Sequence, residues 1–173
     1  LGNIAKDHRG FEQARKYYQQ TLEIEIGLDD REGQASTYHR LGMVAEDLRE
    51  YEQARSNYQQ ALAIKIEFND RYNQASTYHQ LGIVAQKLRE YEQARSHFQQ
   101  ALDIKIEFND RYNQASTHHN LGTVAEELRE FEQARSHYQQ ALAIKIEFND
   151  RYNQARTYHQ LGIVAQAIRA YEQ

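Results

Sequence analysis

The chain has 173 residues, 40% of them hydrophobic, with 21 basic against 25 acidic side chains and a net charge of −4. It has no Cys, Pro or Trp, which excludes a disulfide scaffold, a thiolate nucleophile and any Cys-ligated zinc or iron–sulfur centre, and which suits long unbroken helices. The mild negative charge argues against a generic nucleic-acid binder, and with no membrane-spanning apolar run and no signal segment the expected compartment is cytoplasmic.

The chain repeats itself. Residues 81–120 copy 41–80 with eight substitutions, and 121–160 differ from 81–120 at nine positions. Residues 1–40 are a more diverged copy and 161–173 begin a fifth, so one array of period 40 covers 1–173 and reads as a fragment of a longer protein. In chain order, the last turns of a first helix precede a second helix at about 11–26, with Gly27 close to its end. In the third period Asp70 supplies an N-cap or first-turn acid, and Tyr78, Leu81, Ala85 and Leu88 recur on one face, predicting helix A over about 71–88 with Arg89 in its last turn. Tyr91, Ala94, Phe98, Ala101 or Leu102, and Ile106 form the stripe of helix B, over about 91–107. Asn109 closes it, because Asn tolerates the left-handed conformation. The last predicted element is a helix A over about 151–168, making about nine helices with the end fragments. The short connections force antiparallel neighbours, and stacked hairpins bury what one hairpin cannot.

These residues resemble the tetratricopeptide repeat family. The third period reads Tyr78, Leu81, Gly82, Ala85, Ala94, Phe98, Ala101. The second reads Tyr38, Leu41, Gly42, Ala45, Ala54, Tyr58, Ala61, and the fourth His118, Leu121, Gly122, Ala125, Ala134, Tyr138, Ala141. Gly82 and Ala94 are small where the two helices approach, and Phe98 fills the space beside them. The period of 40 and the missing Pro depart from the common 34-residue form. They look like the arrays of Partner-of-Inscuteable-type scaffolds and of large bacterial proteins, often behind a signalling NTPase domain. The resemblance implies an all-α fold, a right-handed α-solenoid of stacked antiparallel helix hairpins. It implies a concave groove lined by the A helices that binds peptide or protein, with no catalysis.

The copies differ in a pattern. The residue after the repeated Gly runs Asn3, Met43, Ile83, Thr123, Ile163; three further on stand Lys6, Glu46, Gln86, Glu126, Gln166, then Asp7, Asp47, Lys87, Glu127, Ala167. Spacing of i, i+3, i+4 places each set on one helix face. The resemblance makes that face the ligand groove, while plain drift on a solvated face also permits variation. The stripe is mostly acidic, which would steer a partner segment carrying Lys or Arg.

His39, His79, His119 and His159 recur once per period beside the stripe. With Ile83 and Thr123 at i+4 of His79 and His119, no second ligand follows, so no metal and no cofactor is expected, and hydrogen bonding is the preferred role. The His118–His119 doublet has nothing else to support it. Ser36, Ser76 and Ser116 each precede a His by three residues, but without a GxSxG turn they build no hydrolase, and the Gly-containing segments fit no phosphate loop. Asn-Asp-Arg-Tyr at 69–72, 109–112 and 149–152 reads as capping, and Tyr72, Tyr112 and Tyr152 as packing between repeats. The expected function is a non-enzymatic protein-interaction scaffold, with no nucleic-acid or membrane partner. The alternatives are a structural spacer, a self-assembling array, or the sensor arm of a larger NTPase. Open stacking faces at the ends, with Tyr158, Leu161, Ala165 and Ile168 uncovered, would favour head-to-tail self-association.

Overall fold

The computed structural model describes the backbone of residues 2–171 and the side chains of residues 10–171. Among the described residues there are eight helices and no strand: α1 (Gly2–Gly27), α2 (Arg31–Asp47), α3 (Tyr51–Glu67), α4 (Arg71–Lys87), α5 (Tyr91–Glu107), α6 (Arg111–Glu127), α7 (Phe131–Glu147) and α8 (Arg151–Tyr171). The chain is an all-α helical repeat solenoid. Its packing divides it into two compact units, Leu1–Leu88 with α1–α4 and Arg89–Gln173 with α5–α8.

The turns explain the regular period. After helix B, Asn69, Asn109 and Asn149 each have φ 53°. The Asn69 N–H bonds the Ile66 carbonyl at 3.0 Å and the Asp70 N–H the Lys65 carbonyl at 2.8 Å, the paired bonds of a Schellman closure. Asp70 then starts the next helix by accepting the Asn73 N–H at 3.3 Å, and Asp30 does the same for Gly33 at 2.9 Å. Helix A closes in the same way on Arg49, Arg89 and Arg129, at φ 62°, 63° and 61°. Arg89 therefore lies beyond its helix rather than in the last turn. Gly27 ends α1, but the left-handed residue of the first period is Asp29.

Two end elements differ from expectation. α1 is one unbroken helix, so the first period keeps no separate helix A fragment, and the count among the described residues is eight rather than about nine. α8 likewise runs through Arg169 and Ala170, where the internal copies turn. Ala170, a strong helix former, stands there in place of Glu50, Glu90 and Glu130.

In each unit the core lies between one hairpin and the next helix A. Ala45, Ala54, Tyr58, Leu81 and Val84 form it in the first unit, and Ala125, Ala134, Tyr138 and Val164 in the second. Leu161 and Ile168 pack against that second cluster, so the α8 face is partly covered; Tyr158 and Ala165 stay exposed. The repeated glycine is required by close approach. A Cβ on Gly42 would lie 2.5 Å from the Tyr58 ring, and one on Gly122 2.7 Å from the Tyr138 ring. The helix B stripe ends differently from its prediction. Ile106 is 56% exposed, whereas Ile104 and Lys105 are buried. Counting 94, 98, 101, 105 keeps one face, which puts Lys105 rather than Ile106 on it.

Candidate binding groove

In the first unit a cavity of about 520 Å³ opens along α2. Ala35, Ser36, His39, Arg40 and Met43 of α2 form one wall; Ile64, Lys65 and Phe68 at the end of α3 form its back; Asp70, Asn73 and Ser76 lie opposite. The second unit has the counterpart, about 210 Å³, with Ala115, Ser116, His119 and Asn120 of α6, Ile144 and Lys145 of α7, and Asn153 and Arg156 of α8. Most of the second lining repeats the first at +80 in sequence. The pocket is therefore a product of the repeat, and its substitutions, Tyr112 for Glu32, Asn120 for Arg40 and Arg156 for Ser76, are local.

A buried lysine near the end of helix B recurs in three periods, and Lys65 and Lys145 line the two pockets. Lys65 Nζ donates to Thr77 Oγ1 at 2.8 Å and to the Asn73 carbonyl at 3.3 Å; Lys105 reaches Thr117 at 2.7 Å and Lys145 reaches Thr157 at 2.8 Å. The next helix is thus pinned to the end of helix B. The Gln74 amide adds a bond to the Lys65 carbonyl at 3.2 Å. Burial, foremost, lowers the Lys105 pKa to about 8, with Asp110 acting the other way. In the first period Glu25 replaces the lysine, and Thr37 reverses its role, donating to Glu25 Oε1 at 3.0 Å. A hydroxyl serves both cases because it donates and accepts.

Of the predicted site residues, His39 and Met43 come together in the first pocket and His119 lies in the second. His39 Nδ1 stands 3.3 Å from Thr77 Oγ1, and its ring lies 5.2 Å from that of Tyr58. Since Lys65 already donates to that hydroxyl, the hydroxyl hydrogen is left for Nδ1 or for the Asn73 carbonyl. His119 Nδ1 is buried without a partner, and its ring lies 5.3 Å from that of Tyr138. His79 is half-buried and His159 exposed.

The stripe farther along the helices is less free than its sequence suggests. Glu46 accepts the Tyr58 hydroxyl at 3.1 Å and the Gln80 amide at 3.4 Å, and Glu126 accepts the Tyr138 hydroxyl at 2.9 Å. Thr123 accepts the same hydroxyl at 3.2 Å, and Glu127 accepts Tyr91 at 3.2 Å. Glu46 and Glu126 therefore do not act as independent surface charges, and a lysine at either would unseat a buried tyrosine. Asp47, Lys87, Ile163 and Gln166 are exposed, while Ile83 and Gln86 are half-buried. Asn3, Lys6 and Asp7 lie outside the residues with described side chains. Sequence reasoning missed Ser36, Arg40, Asn73, Asn120 and Arg156 as wall residues. The Arg at 156, where three periods carry Ser, was the readable signal.

Histidine burial sets a pH dependence. Burial, foremost, lowers His39, His118 and His119 to about 4; Lys65 and Arg40, His137 and Arg111, and Lys145 and Arg156 respectively add to it. Their folded values lie below the ordinary 6.5, so the unfolded chain binds more protons between pH 6.5 and about 4, and stability falls as pH drops through that window. Glu46 is raised above 4.5, chiefly by burial, and opposes this just above that pH. Tm should decline on acidification from 6.5 towards 4. The triple variant His39→Gln, His118→Gln, His119→Gln should flatten the decline, and an unchanged slope would contradict the assignment.

The tetratricopeptide repeat profile matches residues 1–67, 73–147 and 113–173. This chain belongs to the tetratricopeptide repeat family. No curated protein sequence matches it. Among solved structures it is similar to BtubC from P. vanneervenii, with TM-score 0.88 and 21% identity over 99% of this chain and 72% of that one. It is also similar to the apo form of RapI, with TM-score 0.83 and 21% identity over 95% of this chain and 46% of that one. A third is a signal transduction ATPase with numerous domains from Pyrococcus horikoshii that carries a tetratricopeptide repeat sensor. There the TM-score is 0.83 and the identity 16%, over 90% of this chain and 24% of that one. At these identities the likeness establishes the fold. This tetratricopeptide repeat array therefore spans under half of RapI and about a quarter of the ATPase. No helix among its described residues is long and apolar enough to cross a membrane.

Proposed function

We propose that this tetratricopeptide repeat array is a non-enzymatic protein-interaction scaffold that takes a peptide or protein segment along its A helices. The observation that carries this reading is the recurring pocket, whose first copy adds Met43 and Phe68, 43% and 44% exposed, as apolar contact beside Arg40, Ser36 and Asn73. Apolar walls with a few placed polar groups suit a side chain and its adjoining backbone. In the first unit the ligand stripe comprises His39, Met43 and Asp47 on α2 with His79, Ile83, Gln86 and Lys87 on α4; in the second it comprises Thr123 and Glu127 on α6 with Ile163 and Gln166 on α8. Partner residues carrying Lys or Arg would meet Asp47, an exposed acid of the stripe. The test is a partner isolated with this chain and measured against variants. Met43→Arg with Ser116→Arg, both exposed in the pocket walls, should weaken binding about tenfold or more, while Gln59→Arg with Gln139→Arg, on exposed helix B positions, should leave it unchanged. Equal affinity for both pairs would sink the groove assignment.

A second reading is the sensor arm of a larger signalling NTPase. It draws on the likeness to the P. horikoshii protein, whose own repeats are described as a sensor. A second copy docked on the exposed part of the α8 face is the alternative partner.

A further inference from the structure

One side-chain cluster belongs neither to the groove nor to the lysine clamps. His118 of α6 and His137 of α7 face each other with their Nδ1 atoms 3.4 Å apart and ring centroids 5.6 Å apart. The corresponding residues are Tyr38 and Asn57 in the second period and Tyr78 and His97 in the third, so two imidazoles meet in the fourth period alone.

We propose that His118 and His137 form a two-imidazole site for a borderline divalent metal ion of the zinc, nickel and copper class, with its other positions open. The spacing carries this. Two nitrogen ligands at about 2.0–2.1 Å from a tetrahedral ion stand roughly 3.3–3.4 Å from each other, so an ion fits between these rings with little movement of either. Both rings are uncharged at neutral pH, as ligation requires: burial, foremost, holds His118 at about 4 and also lowers His137. In the metal-free pair one Nδ1–H donates to the other Nδ1. On binding, that proton moves to Nε2 of the same ring, both Nδ1 lone pairs go to the metal, and the pair releases no proton.

The charges that face the pair are Arg95 towards His137 and Arg111 towards His118. Each cation is already matched, Arg95 by Glu130 and Arg111 by Glu147 at 3.2 Å. They therefore add little net positive field against an incoming ion. His118 is only 6% exposed while His137 is half-buried, so the ion enters from the α7 side. Among the described residues no third His, Cys, Asp or Glu side chain completes a larger ligand group. The open positions go to water or to a donor on a bound partner, which leaves binding moderate and exchangeable. Imidazole donors suit copper, nickel and zinc over magnesium or calcium.

The test uses the tag-free chain titrated with zinc chloride, nickel chloride or copper sulfate alone, read by calorimetry and thermal melting. One ion per chain and a raised Tm are expected. His118→Tyr and His137→Asn install residues that the same places hold in other periods, so helical content should be preserved. Each should reduce affinity about tenfold or more, while His39→Gln in the groove should leave it unchanged. Absence of one-to-one binding, or affinity in His118→Tyr and His137→Asn unchanged from that of the parent chain, would overturn the site. So would its loss in His39→Gln alone.

Discussion

Gly122→Ala is expected to destabilise the chain by about 1–3 kcal/mol, whereas Gly162→Ala, the same residue one period later, should stabilise it by roughly 0.5–1 kcal/mol. A Cβ on Gly122 would stand 2.7 Å from two atoms of the Tyr138 ring, whereas one on Gly162 meets nothing within 4 Å. Tyr138 is fully buried, and its hydroxyl is fixed by Thr123 and Glu126, so the ring cannot retreat without breaking those bonds. At Gly162 the substitution only removes backbone freedom from the unfolded chain. Chemical denaturation of the two variants reads the difference, and loss of stability in both would show that Gly162 is covered.

Thr77→Val should cost about 1–3 kcal/mol, because it strips the hydroxyl from a buried ammonium and from His39 Nδ1 at once. Lys65 would keep only its 3.3 Å bond to the Asn73 carbonyl. Adding Lys65→Met should restore most of the loss, since a matched apolar pair removes the charge together with its partner. A double-mutant cycle measures the coupling directly. If Thr77→Val is silent, or the double variant falls further, the lysine clamp is not what joins helix B to the next helix A. Burial puts the cost of charging on Lys105 in the folded state, so its own contribution improves as pH rises above about 8 towards 10.5.

Period, helix bounds, caps and the closing Asn were readable because each rests on local chemistry repeated in several copies. α4 and α5 start and stop within one residue of their expected ends. Arg89 was harder, since a left-handed arginine is intrinsically unfavourable and its turn is held by the Ala45 and Ala125 carbonyls in the sister copies. Lys105 was misplaced for a different reason. An Ile-Lys-Ile run looks apolar at both isoleucines, and only the threonine of the following helix shows why the lysine goes inside. The helix A stripe was legible as a varying face, but its bonding was not. Glu46 and Glu126 meet their tyrosines twelve residues away through the hairpin geometry. The pocket walls needed three elements at once, so Asn73, Phe68 and Arg156 could not be grouped with His39 or His119 from spacing alone.

The central claim is that the A helices carry the partner. The most direct measurement is a nitrogen-15 amide spectrum of this chain with and without its isolated partner segment. Binding should shift amides at 35–47 and 115–127 on α2 and α6, together with 64–68 and 144–148, where helix B closes each pocket. The exposed positions near the middle of helix B, such as Gln59 and Gln139, should stay in place. Shifts concentrated on those helix B positions, with the amides of α2 and α6 unmoved, would contradict the account.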